Sequence, residues 1–259
     1  MKTKNPSRHL SLSGSYNIRD LGGYLTEDGR TTRWRTFLRS GSMHSLTSES
    51  QSRLLGLGIR TVVDLRTSVE KHDFPNVFAK STRVSFRQHN MIGDVTLETN
   101  RDVTAVDMLE GGGEFAEGIF TMYRTFLDGR QEQIRDILTT LSEPDALPAI
   151  YHCAGGKDRT GIISAILLAN AGVPYDTIAN DYALSARYLM ERYFDDEARP
   201  GETPENFTWR EYQVKFCPPE SMLMTLSYLD KVYGGVPAYM RVIGLDSRQI
   251  DRLRDSVIE

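Results

Sequence analysis

Cysteine is scarce in this chain: Cys153 and Cys217 are its only two among 259 residues. Two cysteines cannot form a disulfide framework, and no Cys/His spacing resembles a zinc site, so neither a disulfide scaffold nor a bound metal is expected. Both thiols are expected to stay reduced, which favours a reducing compartment and a cytoplasmic location. Export by a route that needs no signal peptide would leave no mark in the sequence and stays open.

Long apolar runs are also missing. No stretch approaches the length of a transmembrane segment, and residues 1–16 lack the apolar centre of a signal peptide. The net charge of −4 gives no reason to expect nucleic acid as a partner. The chain has no internal repeat or low-complexity tract. Its length therefore favours a single α/β domain over residues 1–259 rather than two small domains.

The most informative segment that is present runs from Tyr151 to Gly161, YHCAGGKDRTG. The apolar residues 147–151 that lead into it predict a short buried strand. The Ala-rich apolar residues 162–171 that leave it predict a buried helix. Cys153 therefore lies where a strand gives way to a helix, and five residues separate it from Arg159.

This position suits chemistry on an anion. A turn between strand and helix can aim successive backbone N–H groups into one concavity, and the helix N-terminus adds partial positive charge. The helix dipole, Lys157 and Arg159 all favour the thiolate of Cys153. The guanidinium of Arg159 also matches two oxygens of a phosphate group. The sequence thus predicts that the nucleophile and the anion-binding site are one structure.

The motif His-Cys-x5-Arg-Thr resembles the phosphate loop of the cysteine-based protein tyrosine phosphatase superfamily, and we use that name for residues 153–159. The fuller form HCAGGKDRTG is similar to the PtpB-like branch of bacterial and fungal tyrosine and phosphoinositide phosphatases. Residues 17–24, 39–41 and 180–182 (NIRDLGGY, RSG and NDY) resemble the same branch. The resemblance implies a tyrosine-phosphatase-like fold, a small mostly parallel β-sheet flanked by helices. It also implies hydrolysis of phosphomonoesters through a cysteinyl-phosphate, with no cofactor.

Within the phosphate loop, Cys153 is the expected nucleophile. Its flanking glycines and cations argue against the inert buried thiol that most cysteines represent. Arg159 is assigned to phosphate binding and to stabilising transition-state charge. The loop amides of Ala154, Gly155 and Gly156 are expected to bind the remaining phosphate oxygens.

Three further side chains lie in the loop or directly beside it. Lys157 is either an ordinary solvated lysine or an added charge beside the pocket, and the resemblance associates a lysine here with activity on phosphoinositides. Thr160 follows the arginine, where its hydroxyl can donate to the departing thiolate. His152 alternates to the opposite strand face from Cys153, so we expect it to support the loop by hydrogen bonds rather than to act as a base.

Asp64 ends a predicted central strand over residues 59–65, and the ends of parallel strands point toward the ligand edge of an α/β sheet. It either supports the site or forms a structural pair with its neighbours, since Asp64 and Arg66 could pair with each other or with Glu70.

The leaving oxygen needs a proton, so a carboxylic acid is expected near the loop. In most of the superfamily this acid is an aspartate on a separate upstream loop, for which Asp128, Asp136 and Asp145 are candidates. The resemblance to the PtpB-like branch instead makes Asp158 the general acid. The competing interpretation is that Asp158 only orients Arg159 or the loop amides. We favour Asp158 as the acid, because a carboxylate beside the bound phosphate needs only one side-chain orientation to serve.

Three segments outside the loop carry further expectations. Arg19 and Asp20 lie in a segment that the resemblance places beside the phosphate loop, and they either shape the pocket or belong only to a strand and turn. Residues 90–114 lose periodicity, which predicts a flexible or functional loop. Residues 194–219 carry interleaved aromatic side chains and either form a helical lid or pack on the domain.

The substrate is not fixed by the sequence. Phosphorylated proteins, on tyrosine or on serine and threonine, and phosphoinositides all remain candidates, and the resemblance favours broad (dual) specificity that includes lipids. Two alternatives of other classes are a rhodanese-like sulfur transferase and a catalytically weak phosphate-recognition module. A nucleotide-binding P-loop is disfavoured, because Asp158 stands where Ser or Thr would hold magnesium.

Overall fold

In a computed structural model of the chain, the structure describes residues 7–93, 115–196, 198 and 200–259. Most of the predicted loop at residues 90–114 therefore lies outside the described residues. Five strands in the described ranges form one sheet in the order β1-β2-β5-β3-β4. They are β1 Arg19–Asp20, β2 Phe37–Ser40, β3 Thr61–Asp64, β4 Ser85–Gln88 and β5 Ala149–His152. All neighbours pair in parallel except β1, which is antiparallel to β2.

Helices surround this sheet, and eleven α-helices lie in the described part of the chain. They are α1 Ser48–Gly56, α2 Ser68–Asp73, α3 Phe115–Gly129, α4 Gln131–Leu141, α5 Asp158–Asn170, α6 Tyr175–Ala183, α7 Ser185–Asp196, α8 Trp209–Phe216, α9 Pro219–Tyr233, α10 Val236–Val242 and α11 Ser247–Val257. Within the described ranges, none of these helices combines the length and the apolar character that crossing a bilayer requires. The predicted α/β class, with a small and mostly parallel sheet flanked by helices, is confirmed.

The central strands are buried on both faces because successive side chains of a strand point to opposite sides. Val63 and Tyr151 join the larger apolar core, to which the helices from α3 onward contribute. Their chain neighbours Val62 and Ile150 join a smaller core, which includes Leu54 of α1. Near-continuous apolar runs are typical of parallel strands covered on both faces, and this is why both β3 and β5 could be recognised in the sequence.

The register of the sheet positions the site. His152, the last residue of β5, is paired with Ser40 of β2 on one side and with Asp64 of β3 on the other. The three strands therefore end at the same level, and the segments that follow them meet at one edge of the sheet. Cys153 is the first residue beyond that edge, where ligands of α/β sheets are commonly bound.

The helix after the loop begins earlier than the apolar pattern predicts. The apolar run starts at Ile162, but α5 starts at Asp158, so that Asp158 and Arg159 lie in its first turn. Polar residues are favoured there, because the first N–H groups of a helix have no partner within the helix. At the other end, Gly172 has a φ of +78° and stops the helix as expected.

Candidate active site

The phosphate loop is held from behind through its carbonyl groups. The backbone N–H of Ser42 donates to the carbonyl of Ala154 at 2.7 Å. The side-chain amide of Asn17 donates to the carbonyls of Gly155 and Gly156, each at 3.0 Å. In a trans peptide the N–H points opposite to the carbonyl. Because these carbonyls all bond outward, the peptide N–H groups between residues 154 and 157 face the inside of the loop.

Two adjacent glycines have different roles in this loop. Gly156 has a φ of +65°, and a Cβ atom there would lie 2.4 Å from the carbonyl carbon and oxygen of Ser40. No side chain can be accommodated at that distance, so the loop packs directly on the end of β2. A Cβ atom on Gly155 would meet only Arg192 Nη1 at 3.5 Å and Leu189 Cδ1 at 3.9 Å, which are ordinary contacts. Gly156 is therefore required by the backbone, whereas the surroundings of Gly155 accommodate a Cβ atom.

Arg159 is clamped by a carboxylate from a different element. Its Nη1 and Nη2 donate to Oε2 and Oε1 of Glu70 at 2.6 and 2.8 Å. Burial alone would raise the pKa of Glu70. The hydrogen bonds and the charge of Arg159 outweigh burial and lower this pKa to about 2. For Arg159 the effect of burial has the opposite sign and lowers the pKa, but the pairing with Glu70 outweighs it and raises the pKa above its ordinary value. Since Glu70 occupies the two η nitrogens, the guanidinium edge that contains Nε remains to bind an anion.

Asp158 is held by one of its two oxygens. The Tyr123 hydroxyl donates to its Oδ1 at 2.7 Å, and Lys157 Nζ lies 3.3 Å from the same atom. The Tyr123 hydroxyl is also 2.8 Å from that of Tyr182. Burial, followed by the charge of Asp158, raises the pKa of Tyr123 well above its ordinary value, so this hydroxyl stays protonated as a donor. The side chain of Asp158 is 29% exposed, so it reaches both the buried tyrosine and the solvent side of the loop.

Lys157 does not extend into solvent as a free cation would. Besides its contact with Asp158, its Nζ donates to the carbonyl of Phe216 at 2.6 Å, at the end of α8. Burial lowers the pKa of Lys157, but the surrounding acidic groups, Asp158 foremost, together outweigh that effect and raise it. Lys157 thus joins the phosphate loop to the segment that the sequence identified as lid-like.

His152 and Asp64 belong to a buried network beneath the loop. His152 Nδ1 lies 3.1 Å from the carbonyl of Cys153, and its Nε2 lies 2.7 Å from Asn76 Nδ2. Asp64 pairs with Arg66 at 2.8 Å, which is one of the two structural pairings weighed for it. Burial raises the pKa of Asp64, but His152 and Arg66 lower it far more. His152 thus contacts the first carbonyl of the loop, and Asp64 Oδ2 lies 3.4 Å from His152 Nε2 on the side away from that carbonyl.

Arg19 and Asp20 are also buried beside the loop. Arg19 donates through Nε to Asp181 Oδ1 at 3.1 Å, and its Nη1 binds the side-chain oxygen of Asn17. Asp20 accepts from the backbone N–H groups of Gly22 and Arg35, each at 2.8 Å. Burial raises the pKa of Asp20. Arg19 thus acts on the loop through Asn17, whereas Asp20 stabilises its own turn.

Two small side chains complete the description of the site. The hydroxyl of Thr160 is buried and has no hydrogen-bond partner among the described residues. An unpartnered buried hydroxyl directly after Arg159 is consistent with a donor whose acceptor forms only during the reaction. The second thiol, Cys217, is fully buried, and burial raises its pKa to about 12. Cys153 is also buried, at 2% exposure, but it lies at the open edge of the sheet.

The other candidate acids are engaged elsewhere. Asp128 accepts from the hydroxyls of Tyr228 and Tyr233. Asp136 pairs with its neighbour Arg135, and Asp145, whose side chain is 99% exposed, lies 3.8 Å from Arg60. Of the four aspartates considered as the acid, Asp158 is the one that contacts another side chain of the phosphate loop, Lys157. The other carboxylate at the loop is that of Glu70, which is held in the pair with Arg159.

The aromatic side chains of the segment weighed as a lid or as part of the domain pack on the body of the protein. Tyr193 of α7 lies 5.0 to 5.8 Å, between ring centroids, from Phe207, Tyr212 and Phe216. These rings belong to the larger apolar core or pack against it. This arrangement corresponds to the packing interpretation weighed for this segment, with Lys157 as its link to the loop.

Several residues of the site were not identified from the sequence. The sequence indicates Glu70 only as a partner of Asp64 or Arg66, and no pattern in it singles out Tyr123. The spacing Thr67-x-x-Glu70 matches a helix capping box, which the structure contains. That signal could have located a helix start at Glu70, but not its contact with Arg159.

Comparisons with known proteins agree with this geometry. A family model described as the tyrosine phosphatase family matches residues 10–259. A tyrosine-protein phosphatase of Nostoc commune is 27% identical over 227 residues, which cover 84% of this chain and 72% of the relative. A Cupriavidus necator protein named as a tyrosine-protein phosphatase is 31% identical over 183 residues, or 68% of this chain and 62% of the relative. The triple specificity protein phosphatase PtpB of Mycobacterium tuberculosis is 24% identical over 272 aligned positions, or 94% and 96% of the two chains.

Proposed function

Because this chain belongs to the tyrosine phosphatase family, whose members are cysteine-based enzymes, we propose that it hydrolyses phosphate monoesters through a phosphoenzyme formed on Cys153. The observation that carries the proposal is the phosphate loop itself. Its carbonyls are bonded outward to Asn17 and Ser42, so its amides surround the position next to the nucleophile. Preorganised donors of this kind supply the largest share of transition-state stabilisation in many enzymes.

In the first step, the thiolate of Cys153 attacks phosphorus while the bond from phosphorus to the ester oxygen breaks. The loop amides and the Nε edge of Arg159 hold the three non-bridging oxygens. Asp158, as the carboxylic acid, gives its proton to the leaving oxygen, so an alcohol or phenol departs. Its Oδ1 is occupied by Tyr123 and Lys157, which leaves Oδ2 as the oxygen that carries the proton.

In the second step, water attacks phosphorus and the bond from sulfur to phosphorus breaks. The carboxylate of Asp158, left without its proton after the first step, takes one from the attacking water. The sulfur of Cys153 leaves as thiolate, and the buried hydroxyl of Thr160 is the donor assigned to it. Inorganic phosphate is released and both catalytic side chains return to their starting states.

We extend this proposal to broad specificity, with phosphorylated tyrosine, serine or threonine and phosphoinositides as substrates. The name of the Mycobacterium tuberculosis relative, a triple specificity phosphatase, supports this extension. Comparing kcat/KM over a panel of phosphopeptides and phosphoinositides tests the breadth. Turnover of phosphotyrosine peptides alone would contradict it.

The chemistry is tested with para-nitrophenyl phosphate in the presence of a metal chelator. Wild-type protein is expected to release phosphate, and Cys153→Ser is expected to abolish release and the trapping of phosphorus on the protein. Cys217→Ser is the matched control, since the Cys217 thiol is fully buried and is not the proposed nucleophile, so this variant is expected to keep turnover and the trapping of phosphorus. Binding of phosphate without release by the wild type would contradict the proposal and favour a recognition module.

The role of Asp158 is tested separately by leaving-group dependence. Asp158→Asn is expected to lower kcat about 100-fold or more on alkyl phosphates, since positioned acids contribute of that order. Esters of acidic phenols depart without a proton and are expected to lose far less. Equal losses on both kinds of ester would place the general acid elsewhere, and Asp136→Asn, on the surface, serves as the matched control.

A further inference from the structure

The phosphate loop is attached to a buried polar group that lies behind it and consists of Asn17, Arg39 and Asp181. We call these three residues the loop brace. None is more than 2% exposed. Asn17 Nδ2 donates to the carbonyls of Gly155 and Gly156, and Arg39 Nη2 donates to that of Gly156 at 2.9 Å. The carbonyl of Gly156 therefore accepts from two side chains that belong to different segments.

Both of these donors are oriented by one carboxylate. Asp181 accepts from Arg39 Nη1 at 2.8 Å through Oδ2 and from Arg19 Nε at 3.1 Å through Oδ1. Arg19 in turn binds the side-chain oxygen of Asn17, which directs the amide nitrogen of Asn17 toward the loop. Asp181 thus reaches the same loop peptides by two routes, one through Arg39 and one through Arg19 and Asn17.

The charge of the brace is suited to this task. Burial raises the pKa of Asp181, but the two arginines lower it further, to about 2, so the carboxylate stays ionised. Buried hydrogen bonds to charged groups are stronger and more strictly oriented than those between neutral groups. The backbone of Asn17 itself has a φ of +59°, a left-handed conformation that asparagine tolerates better than most residues. The fold therefore maintains an unusual backbone conformation at the residue whose amide holds the loop.

We propose that Asn17 and Arg39, oriented by Asp181, are positioning residues that set the peptide N–H groups of the phosphate loop for the phosphoryl group in transit. The inference rests on the proposed function, because it concerns the same reaction at Cys153. It goes further because it assigns the orientation of the amides that bind the oxyanion to residues behind the loop, which are not in contact with the substrate. Since the brace touches the loop carbonyls and not Asp158, it acts on charge stabilisation and not on proton transfer.

The proposal predicts a specific kinetic pattern. Replacing Asn17 by alanine removes the donor of both hydrogen bonds, so the Gly155 carbonyl loses its side-chain partner and the Gly156 carbonyl keeps only Arg39, which allows the peptides to rotate. The inhibition constant of orthovanadate, an oxyanion that adopts five-coordinate geometry, is expected to rise about tenfold or more. The kcat/KM is expected to fall by the same factor for alkyl phosphates and for esters of acidic phenols. Replacing Asn17 by aspartate, which turns an acceptor toward the two carbonyls, is expected to cause the larger loss.

The matched control is Tyr24→Phe. The Tyr24 hydroxyl donates to Asp181 Oδ1 at 2.7 Å, so within the described structure it bonds to the brace and not to the loop carbonyls. This variant weakens the packing around the same carboxylate but keeps both routes to the loop, so vanadate binding is expected to change less than threefold. Thermal melting of each variant separates a loss of fold from a loss of positioning.

Three outcomes decide the inference. The inference is supported if the vanadate inhibition constant rises more in Asn17→Ala than in Tyr24→Phe. The two variants must melt at similar temperatures, and kcat/KM of Asn17→Ala must fall equally on both ester types. Unchanged vanadate inhibition in folded Asn17→Ala overturns it, as does a loss confined to alkyl phosphates. Failure of the proposed function has a different signature, because the wild-type protein itself would then neither hydrolyse the esters nor become phosphorylated on Cys153.

Discussion

The two sides of the phosphate loop differ in their exposure to solvent. Behind the loop, the brace residues Arg39 and Asp181 are at most 2% exposed and hold each other in a fixed arrangement. On the open side, the side chains of Lys157 and Asp158 are 15% and 29% exposed. The groups that orient the amides are therefore shielded from solvent, whereas the proposed proton donor stays in contact with it.

This difference follows from what each side has to do. Dipoles that stabilise developing charge work best where water cannot reorganise around them, because the local dielectric is low and the donors are already in place. A carboxyl group that gives up and regains a proton in every cycle needs access to water. One short loop can thus be held firmly on its carbonyl side and remain accessible on its acid side.

The largest loss of activity is expected from a substitution on the carbonyl side of the loop. Gly156→Ala is expected to lower kcat/KM by at least about 100-fold, the scale seen when an oxyanion donor is lost. The new Cβ would lie 2.4 Å from the carbonyl of Ser40 and would require a positive φ, so the peptide must move. Steady-state kinetics with para-nitrophenyl phosphate measure the effect.

Its control is the adjacent glycine. Gly155→Ala meets only ordinary contacts, the nearest being Arg192 Nη1 at 3.5 Å, so its activity on the same small substrate is expected to stay within about threefold. Similar losses in the two variants would show that the backbone distinction drawn between them does not govern catalysis.

An intermediate effect is expected on the acid side. Tyr123→Phe removes the hydrogen bond to Asp158 Oδ1 without changing the ring, which lies edge-on to Tyr182. A lost hydrogen bond to a charged group corresponds to a decrease of about tenfold in kcat, and we expect it mainly for alkyl phosphates. Orthovanadate inhibition is expected to stay unchanged, unlike in the brace variants. A parallel loss of vanadate affinity would mean that the two sides are not independent.

The smallest effect concerns stability in acid and sharpens the description of the Arg159 clamp. The folded pKa of Glu70, about 2, lies below its ordinary value of 4.5. Its pairing therefore stabilises the fold fully above pH 4.5 and is lost as the pH falls toward 2. Between pH 5 and 3, the free energy of unfolding of the wild type is expected to fall more steeply with pH than that of Glu70→Gln. The difference in slope corresponds to at most one additional proton bound on unfolding. Urea unfolding at several pH values measures both slopes, and equal slopes would contradict the pairing.

Much of the fold around the nucleophile follows from local sequence. The apolar runs before and after the phosphate loop predicted β5 and α5, because buried parallel strands and core helices leave nearly continuous apolar patterns. The strand predicted over residues 59–65 contains β3, Thr61–Asp64. The start of α5 was placed too late, because the polar first turn that carries Asp158 and Arg159 interrupts that pattern.

The support of the site could not be predicted in the same way. Glu70 satisfies the same charge rule whether it pairs with Arg66 or with Arg159, and only the course of the chain decides between them. Tyr123 stands 35 positions before Asp158, and Asp181 stands 142 positions after Arg39. Contacts between such distant residues leave no periodicity or spacing, so their roles become visible only in three dimensions.

The burial of Cys217 has a practical consequence. A thiol whose pKa is about 12 is almost entirely unionised at neutral pH, and alkylating reagents react with the thiolate. A protein with two cysteines is thus expected to take up a single equivalent of iodoacetamide, with activity and label changing in proportion. That stoichiometry turns a simple labelling reaction into a count of competent molecules in any preparation, without mutating the chain.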